Sequence, residues 1–188
     1  MLLAFALWRF TPPHAVDASR EQYAVYSAFL QSDLATSTDG RRMHGENIVI
    51  CSDPTSFYQK PVWHFFPQAF RGLGKNIGAG YALFVLKTLG VGRENVRLER
   101  KFALDHSYEL ARSAGLGDFF ALGPLPRRST AARRYFIFSE IAFNQDLTNA
   151  LFYAENHCGT LCGEYRYIFM KKIEGTWTVA GSALMGVS

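Results

Sequence analysis

The segment 158–163, Cys-Gly-Thr-Leu-Cys-Gly, holds the residues whose types and spacing come closest to a chemical site. Directly opposed residues of two antiparallel strands have Cα atoms about 4.5 to 5.5 Å apart, which is within the range that a disulfide spans. Cys158 and Cys162 therefore fit a staple across a hairpin, or two small buried thiols that only pack. A thiol redox pair is an alternative, although a hairpin has no helix N-terminus to lower a thiol pKa.

A metal site at this hairpin would also need His157. Neighbouring residues of a strand point to opposite faces, so His157 and Cys158 do not converge on one ion, and a closed zinc site needs four ligands. The other four histidines show no metal spacing such as His-Glu-x-x-His. We therefore predict no metal and no cofactor. Cys51 follows the apolar run 48–50 and is predicted to be a buried core residue.

A second group of candidates lies on the strands around this segment. Carboxylates and an imidazole among tyrosines can bind a polar ligand or exchange protons with a substrate. The simpler interpretation is that residues at strand ends leave the core and meet solvent. No catalytic residue is assigned. The predicted ligand-binding residues are Glu140, Tyr153, Glu155, His157, Tyr165 and Tyr167.

Two other stretches suggest phosphate or nucleic-acid binding, and both are poor matches. The glycines at 72–78 follow no clear strand and match neither a dinucleotide-binding loop nor a Walker loop. Four arginines at 127, 128, 133 and 134 lie near prolines without interleaved aromatic residues, which is typical of a solvated loop. The net charge of +4 permits weak attraction to anions, but nucleic acid is not the expected partner.

A sheet is needed to position these candidates, and the C-terminal third of the chain predicts one. Alternating apolar runs separated by turn-type residues are typical of an antiparallel meander, and they occupy 134–143, 148–157, 163–171 and 176–185. A register with Cys158 opposite Cys162 pairs Tyr153 with Tyr167 and Leu151 with Phe169.

This register assigns the strand residues to two faces. The face of Tyr153 and Tyr167, continued through simple turns to Trp177 and Val179, is predicted to be the core. The other face is predicted to be a mixed surface that a helix partly covers. It holds Phe152, Ala154, Arg166, Ile168, Thr178 and Ser182.

The rest of the chain predicts helices and two further strands. Helical spacing of apolar residues indicates helices at 19–34 and 76–89, and short apolar patterns indicate strands at 48–51 and 96–104. Residues 1–18 are an apolar and proline-rich leader, too short to span a bilayer and compatible with a signal-peptide remnant. Residues 19–188 suit a single domain.

The predicted fold class is α+β, a four-stranded antiparallel meander packed on the N-terminal and central helices. Its Tyr/Phe/Trp face is expected to pack against both helices. A cystatin-like roll, or one like nuclear transport factor 2, is one way to build it.

Several stretches together resemble an uncharacterised bacterial family of small extracytoplasmic or lipoprotein-type proteins. Those stretches are 21–28, 48–56, 138–144, 150–153, the Cys-Gly-x-Leu-Cys-Gly hairpin and the Gly-x-Trp ending at Trp177. Ala142 stands where the family pattern has glycine, and the tryptophan typical of the family's end is missing. The resemblance implies a periplasmic or secreted location, which favours an oxidised Cys158–Cys162 pair. It brings no activity.

The leading functional hypothesis is a non-enzymatic extracytoplasmic domain that binds a small ligand or another protein. One alternative is a small enzyme with an acid/base pocket on the aromatic sheet face. Another is a thiol redox protein that uses Cys158 and Cys162. The alternative location is the cytoplasm.

Overall fold

A computed structural model describes residues 15–36, 47–53, 70–88, 97–112, 133–159 and 162–187. Within these ranges two α-helices accompany a mixed seven-stranded sheet, so the fold class is α+β. Residues 1–14 of the predicted leader lie outside the described ranges, and residues 15–18 already belong to the first helix. The elements are α1 (Ala15–Thr36), β1 (Asn47–Cys51), a 3-10 helix (Phe70–Asn76), α2 (Ile77–Thr88), β2 (Tyr108–Ala111), β3 (Arg133–Phe138), β4 (Ala142–Phe143), β5 (Asn149–Gly159), β6 (Cys162–Ile173) and β7 (Thr176–Val187).

The sheet combines antiparallel and parallel pairs. Six of its strands lie in the order β2-β1-β3-β5-β6-β7. The seventh, β4, pairs with β5 and has no place in this order. Neighbouring strands from β3 to β7 pair antiparallel, whereas β1 is parallel to both β2 and β3. Parallel neighbours need a long crossover connection, so β1 brings strands together that are far apart in the sequence.

The predicted register of β5 and β6 is confirmed over most of their length. Tyr153 lies opposite Tyr167 and Leu151 opposite Phe169, and the pairing continues to His157 and Gly163. At the hairpin end a bulge shifts the register, and Cys162 lies opposite Gly159. The predicted register, in which Cys158 lies directly opposite Cys162, was therefore wrong at this end, because the bulge adds one residue to β5 at Cys158.

The turn between β6 and β7 explains a second correction. Glu174 and Gly175 both have positive φ, 49° and 81°, as a two-residue hairpin turn of type I′ requires. This turn places Trp177 opposite Lys172, on the face opposite to that of Tyr167. The prediction that Trp177 shares the Tyr167 face was wrong. Val179, also predicted to be core, is 38% exposed.

One face of the sheet is covered by α1, and we call it the α1 face. Tyr26 stacks on Phe138 with ring centroids 4.7 Å apart and meets Phe152 edge-on at 5.3 Å. Its hydroxyl donates a hydrogen bond of 2.6 Å to the backbone oxygen of Ser139. Phe152 and Ile168 are fully buried here, so the face predicted to be a mixed surface holds the larger part of the core.

The opposite face is covered by α2 and the 3-10 helix, and we call it the α2 face. Leu83 and Phe84 pack with Leu151, Tyr167 and Phe169. The expectation that both helices cover one aromatic face was wrong, because they lie on opposite sides of the sheet. The strands allow this because both sets of alternating side chains are apolar in their central parts.

The helix predictions are confirmed with small changes in their ends, at 15–36 and 77–88. No described helix combines the length and the apolar character needed to cross a bilayer. The strand predicted at 96–104 was wrong, because the described residues 97–107 are irregular. Leu98 and Phe102 are nevertheless buried in the α1-face core, as their alternation with polar residues suggested.

Candidate functional site

The candidate residues of β5 and β6 lie side by side on the α2 face. Because alternate residues of a strand share a face, β5 presents Tyr153, Glu155 and His157 in one row. The strand pairing places Tyr165 directly opposite Glu155, and Gly163 opposite His157. Glu155 is therefore the only carboxylate in this block of directly paired residues.

The Glu155 carboxylate joins two of its neighbours. Its Oε2 atom lies 3.0 Å from His157 Nε2, and the two side chains are only 15% and 9% exposed. Burial, followed by the negative charge of Glu155 and a hydrogen bond to it, raises the pKa of Tyr153 far above the usual value near 10. Tyr153 therefore remains a neutral phenol that can donate to the carboxylate.

Aromatic rings surround this polar group. The His157 ring meets Tyr165 edge-on at a centroid distance of 5.5 Å, with 81° between the planes. The Tyr153 ring lies 5.4 Å from that of Tyr167. Tyr167 is only 1% exposed and packs edge-on against Phe84 of α2 at 5.7 Å. It supports Tyr153 from within the core, whereas Tyr153 and Tyr165 remain partly exposed.

Two glycines are the strand partners of His157 and Tyr165. Gly163 lies across from His157 and has no side chain, and Gly186 of β7 is the direct partner of Tyr165. A Cβ atom added at Gly186 would lie 3.6 Å from Tyr165 Cδ2, which is ordinary contact distance. A side chain at position 186 would therefore meet the ring of Tyr165.

Glu140 is placed differently from the other five predicted residues. Glu140 lies two residues after the end of β3, next to Ser139. The backbone oxygen of Ser139 accepts the hydrogen bond from Tyr26. Burial first, and then the charge of Glu140, raise the pKa of Tyr26, which belongs to the α1-face core. The negative charge of Glu140 therefore acts on a residue of the α1-face core.

A second polar cluster, on the α1 face, was missed by the sequence analysis. Asp33 of α1 is 7% exposed in its side chain and accepts a hydrogen bond of 2.5 Å from Arg166 Nη2. Arg134 Nη1 lies 3.6 Å from Asp33, and Asn156 Nδ2 donates to it at 3.3 Å. Arg134 belongs to the four arginines of the predicted solvated loop and is also the first residue of the strand predicted at 134–143, and it lies in β3. The sequence feature that could have placed Arg134 on this face is its alternation with Phe136 and Phe138, which are buried.

The chemistry predicted at the cysteines cannot be placed on described side chains. Those of Cys158 and Cys162 lie outside the described residues, so the disulfide and the redox alternative both remain predictions. Cys51 is a free, buried thiol, as predicted, and its Sγ donates to the backbone oxygen of Asp53 at 3.3 Å. Within the described ranges no group of three or more histidine, cysteine, aspartate or glutamate residues could hold a metal ion.

Comparisons with known proteins leave the family open. No protein-family model, curated protein or solved structure matches the chain. The resemblance to small extracytoplasmic bacterial proteins therefore remains an expectation from the sequence. The functional argument accordingly rests on the geometry of Tyr153, Glu155, His157 and Tyr165.

Proposed function

We propose that this protein is a non-enzymatic binding domain that takes up a small polar ligand on its α2 face, around Glu155. The observation that carries the proposal is that one carboxylate, still 15% exposed, contacts His157 and Tyr153 within a largely apolar face. Binding sites are typically apolar surfaces with a few polar groups at defined positions, and this arrangement has that composition.

The tyrosines support binding more than catalysis. A phenol whose pKa is raised, as at Tyr153, remains protonated at neutral pH and is a poor general base. It is well suited to hold a carboxylate in one orientation. The strand backbone also supports the site, because residues on regular elements are positioned more rigidly than residues on loops.

One observation favours acid/base catalysis as a second candidate. Glu155 and His157 are in contact at 3.0 Å, and a carboxylate that orients an imidazole is a common arrangement for proton transfer. In that case His157 would exchange the proton with a substrate bound beside Tyr165. The two candidates share a site and differ in whether the ligand is changed.

The location and the finer fold belong to the same proposal. The hairpin and Gly-x-Trp resemblance supports a periplasmic or secreted domain. The long helix α1 across one face of antiparallel strands supports a cystatin-like or nuclear-transport-factor-like roll. Here α2 would be an addition on the outer side of the roll.

Ligand screening by NMR tests the proposed site. We expect small polar molecules that bind to shift the ring signals of Tyr165 and His157, and Glu155→Gln to weaken that binding about tenfold or more, since it removes a charged hydrogen-bond partner. Glu99→Gln is the matched control, because the Glu99 side chain is 61% exposed. Binding that is equal in both variants would place the site elsewhere.

The same samples separate binding from catalysis. Ligand signals followed over time should remain unchanged if the protein only binds. Conversion by the native protein that disappears in His157→Gln, with binding retained, would favour the enzymatic alternative.

A further inference from the structure

We propose that β7 is an interface strand, which pairs edge to edge with β7 of a second copy of this chain in an antiparallel dimer. The pairing segment is 182–187, at the C-terminal end of the strand. This inference concerns a different part of the molecule from the Glu155 site and does not depend on the proposed function. It follows from the position of β7 in the sheet, its lack of charge and its exposed apolar side chains.

β7 lies at one edge of the sheet. It pairs with β6 on one side, and within the described residues no strand pairs with its other side. The backbone groups along such an edge can bond to a strand of another molecule. One position is already occupied, because Asn76 Nδ2 of the 3-10 helix donates to the backbone oxygen of Ala180 at 2.8 Å. The segment 182–187 lies beyond this contact and remains available to a partner strand.

The two edges of the sheet differ in how they are protected. Proteins commonly protect edge strands from pairing by making them short or by placing charged residues or proline on them. β2, at the opposite edge, has four residues and includes the exposed Glu109. β7 has 12 residues and contains no charged residue and no proline. The lack of charge is specific to β7, because the neighbouring strand β6 carries two acidic or basic side chains near each of its ends.

Bulges are the one protective feature that β7 has. The register with β6 shifts at Ala180 and at Met185, so each of these positions adds a residue to β7. A bulge increases the local twist of a strand, which prevents a long, flat pairing of the kind that builds fibres. The contact of Asn76 with Ala180 has the same effect. We therefore expect pairing over a short segment that closes as a dimer.

The segment 182–187 also exposes apolar side chains. Leu184 is 55% exposed and Val187 is 69% exposed. They lie on the same side of the sheet, because their partners Arg166 and Glu164 are alternate residues of β6. A strand added at this edge would cover both side chains, and removal of apolar surface from water favours association.

The absence of charge favours a second copy as the partner. In an antiparallel pair of identical strands, a charged residue near the centre faces its own copy, and like charges in directly opposed positions are destabilising. β7 brings no such pair together. A two-fold dimer is also the commonest symmetric assembly, and it needs a surface that is complementary to itself. Pairing along all of 182–187 places the two-fold axis at the middle of the segment, beside Leu184. A strand of this length spans about 20 Å, so we expect a small interface and weak association.

Sedimentation equilibrium over about a hundredfold range of concentration tests the dimer. We expect monomer at the low end and dimer at the high end. Leu184→Lys should raise the dissociation constant about tenfold or more, because it places two positive charges beside the axis. Ile173→Lys is the matched control, since Ile173 is 56% exposed and lies at the hairpin end of β6. A native protein that stays monomeric throughout, or equal weakening by both substitutions, would overturn the inference.

Complementary charges test the symmetry of the interface. Leu184→Glu and Leu184→Lys should each be monomeric alone, and an equimolar mixture of the two should dimerise, because opposite charges then meet at the axis. Val187→Lys is a second disrupting variant if either fails to fold, and circular dichroism checks folding. A mixture of folded variants that stays monomeric would contradict self-pairing at Leu184.

Hydrogen exchange tests whether the backbone edge forms the contact. Amide exchange within 182–187 should slow as protein concentration rises, since pairing protects backbone N–H groups. The residues of β2, 108–111, provide the internal control and should exchange at the same rate at all concentrations. Association without added protection of 182–187, or with protection at β2 instead, would overturn the assignment to β7.

Discussion

Glu155 and His157 lie two residues apart on β5, and their side chains meet at 3.0 Å on the α2 face of the sheet. The contact is short because alternate residues of one strand point the same way. Both groups are largely removed from solvent, so each lowers the cost of placing the other there. This pair places a polar group among the largely apolar side chains of the α2 face, and Tyr153 extends it along the same strand.

Alkaline pH should destabilise the protein through its buried phenols. Burial raises the pKa of Tyr26 and Tyr153 above 10, while unfolded tyrosine ionises near 10. Above about pH 10 the unfolded state therefore binds fewer protons, and the stability contributed by these groups at lower pH is lost as pH rises. Tyr153→Phe should flatten the fall in unfolding free energy between about pH 9.5 and 11.5.

Denaturant unfolding at a series of pH values measures this effect. Tyr81→Phe is the matched control, since Tyr81 is 52% exposed. Parallel curves for Tyr153→Phe and the native protein would contradict the raised pKa.

A bidentate contact of Glu21 should stabilise the join between α1 and the β6–β7 hairpin. Its two oxygens accept hydrogen bonds from Lys172 Nζ at 2.7 Å and Trp177 Nε1 at 2.6 Å. Burial opposes the charge, but these bonds outweigh it and lower the pKa of Glu21. Glu21→Gln should lower the unfolding free energy by about 1 to 2 kcal/mol at neutral pH.

The pH dependence of that loss identifies its cause. A lowered carboxyl pKa contributes stability above the unfolded value near 4.5, and the contribution disappears as pH falls through the folded pKa. The difference between Glu21→Gln and the native protein should therefore shrink below about pH 4. Glu99→Gln should show little loss at either pH, and a difference that is constant with pH would argue for a packing defect.

Asp33 should be among the residues most sensitive to substitution. Asp33→Asn leaves the guanidinium of Arg166 with a weaker partner at a site that is mostly buried. Removing one partner of a buried ion pair typically costs about 3 to 5 kcal/mol, and we expect the lower end because Arg166 also contacts Glu164 at 3.2 Å. Asp53→Asn, at a 40%-exposed side chain, is the control for the same chemical change. Equal unfolding midpoints of the two variants would show that the Asp33 cluster contributes nothing.

Local patterns in the sequence predicted the parts of this fold that depend on neighbours along the chain. The alternation of β5 and β6 was enough to pair Tyr153 with Tyr167 and to gather Glu155, His157 and Tyr165 on one face. Two local features that set the pairing were not visible in the sequence, a bulge that inserts one residue and a two-residue turn. The bulge at Cys158 and the turn at Glu174 each change which residue faces which, and neither leaves a clear pattern in composition.

Contacts between segments that are far apart in the sequence could not be predicted either. Asp33 meets Arg166 across 133 positions of sequence, and spacing cannot predict which cation a buried carboxylate will contact. The partial signal was an arginine that alternates with Ile168 and Met170 on a buried face, because a charge there must have a partner. The parallel pairing of β1 between β2 and β3 escaped prediction for the same reason.

Two glycines of α2 should respond oppositely to alanine. A Cβ atom at Gly80 would collide with Cδ1 of Leu73, which is 2% exposed and has little room to move. Gly80→Ala should therefore destabilise the protein by about 1 to 3 kcal/mol. At Gly78 a Cβ atom meets nothing within 4 Å, so Gly78→Ala should be neutral or stabilising by up to about 1 kcal/mol.

Thermal unfolding of both variants checks the contrast, and Leu73→Ala should reduce the cost of Gly80→Ala. Similar shifts in both glycine variants would mean that helix propensity outweighs the collision.

Counting thiols tests the remaining prediction about the hairpin. The chain has three cysteines, and Cys51 is a buried free thiol. If Cys158 and Cys162 are joined, the denatured protein should show one reactive thiol without reductant and three after full reduction. A disulfide that resists mild reductant would favour a structural staple, since redox-active disulfides are readily reduced. Three thiols without reductant, in protein prepared under oxidising conditions, would exclude the staple. Cys51→Ser provides the control, because its loss should remove the one thiol that is titrated before reduction.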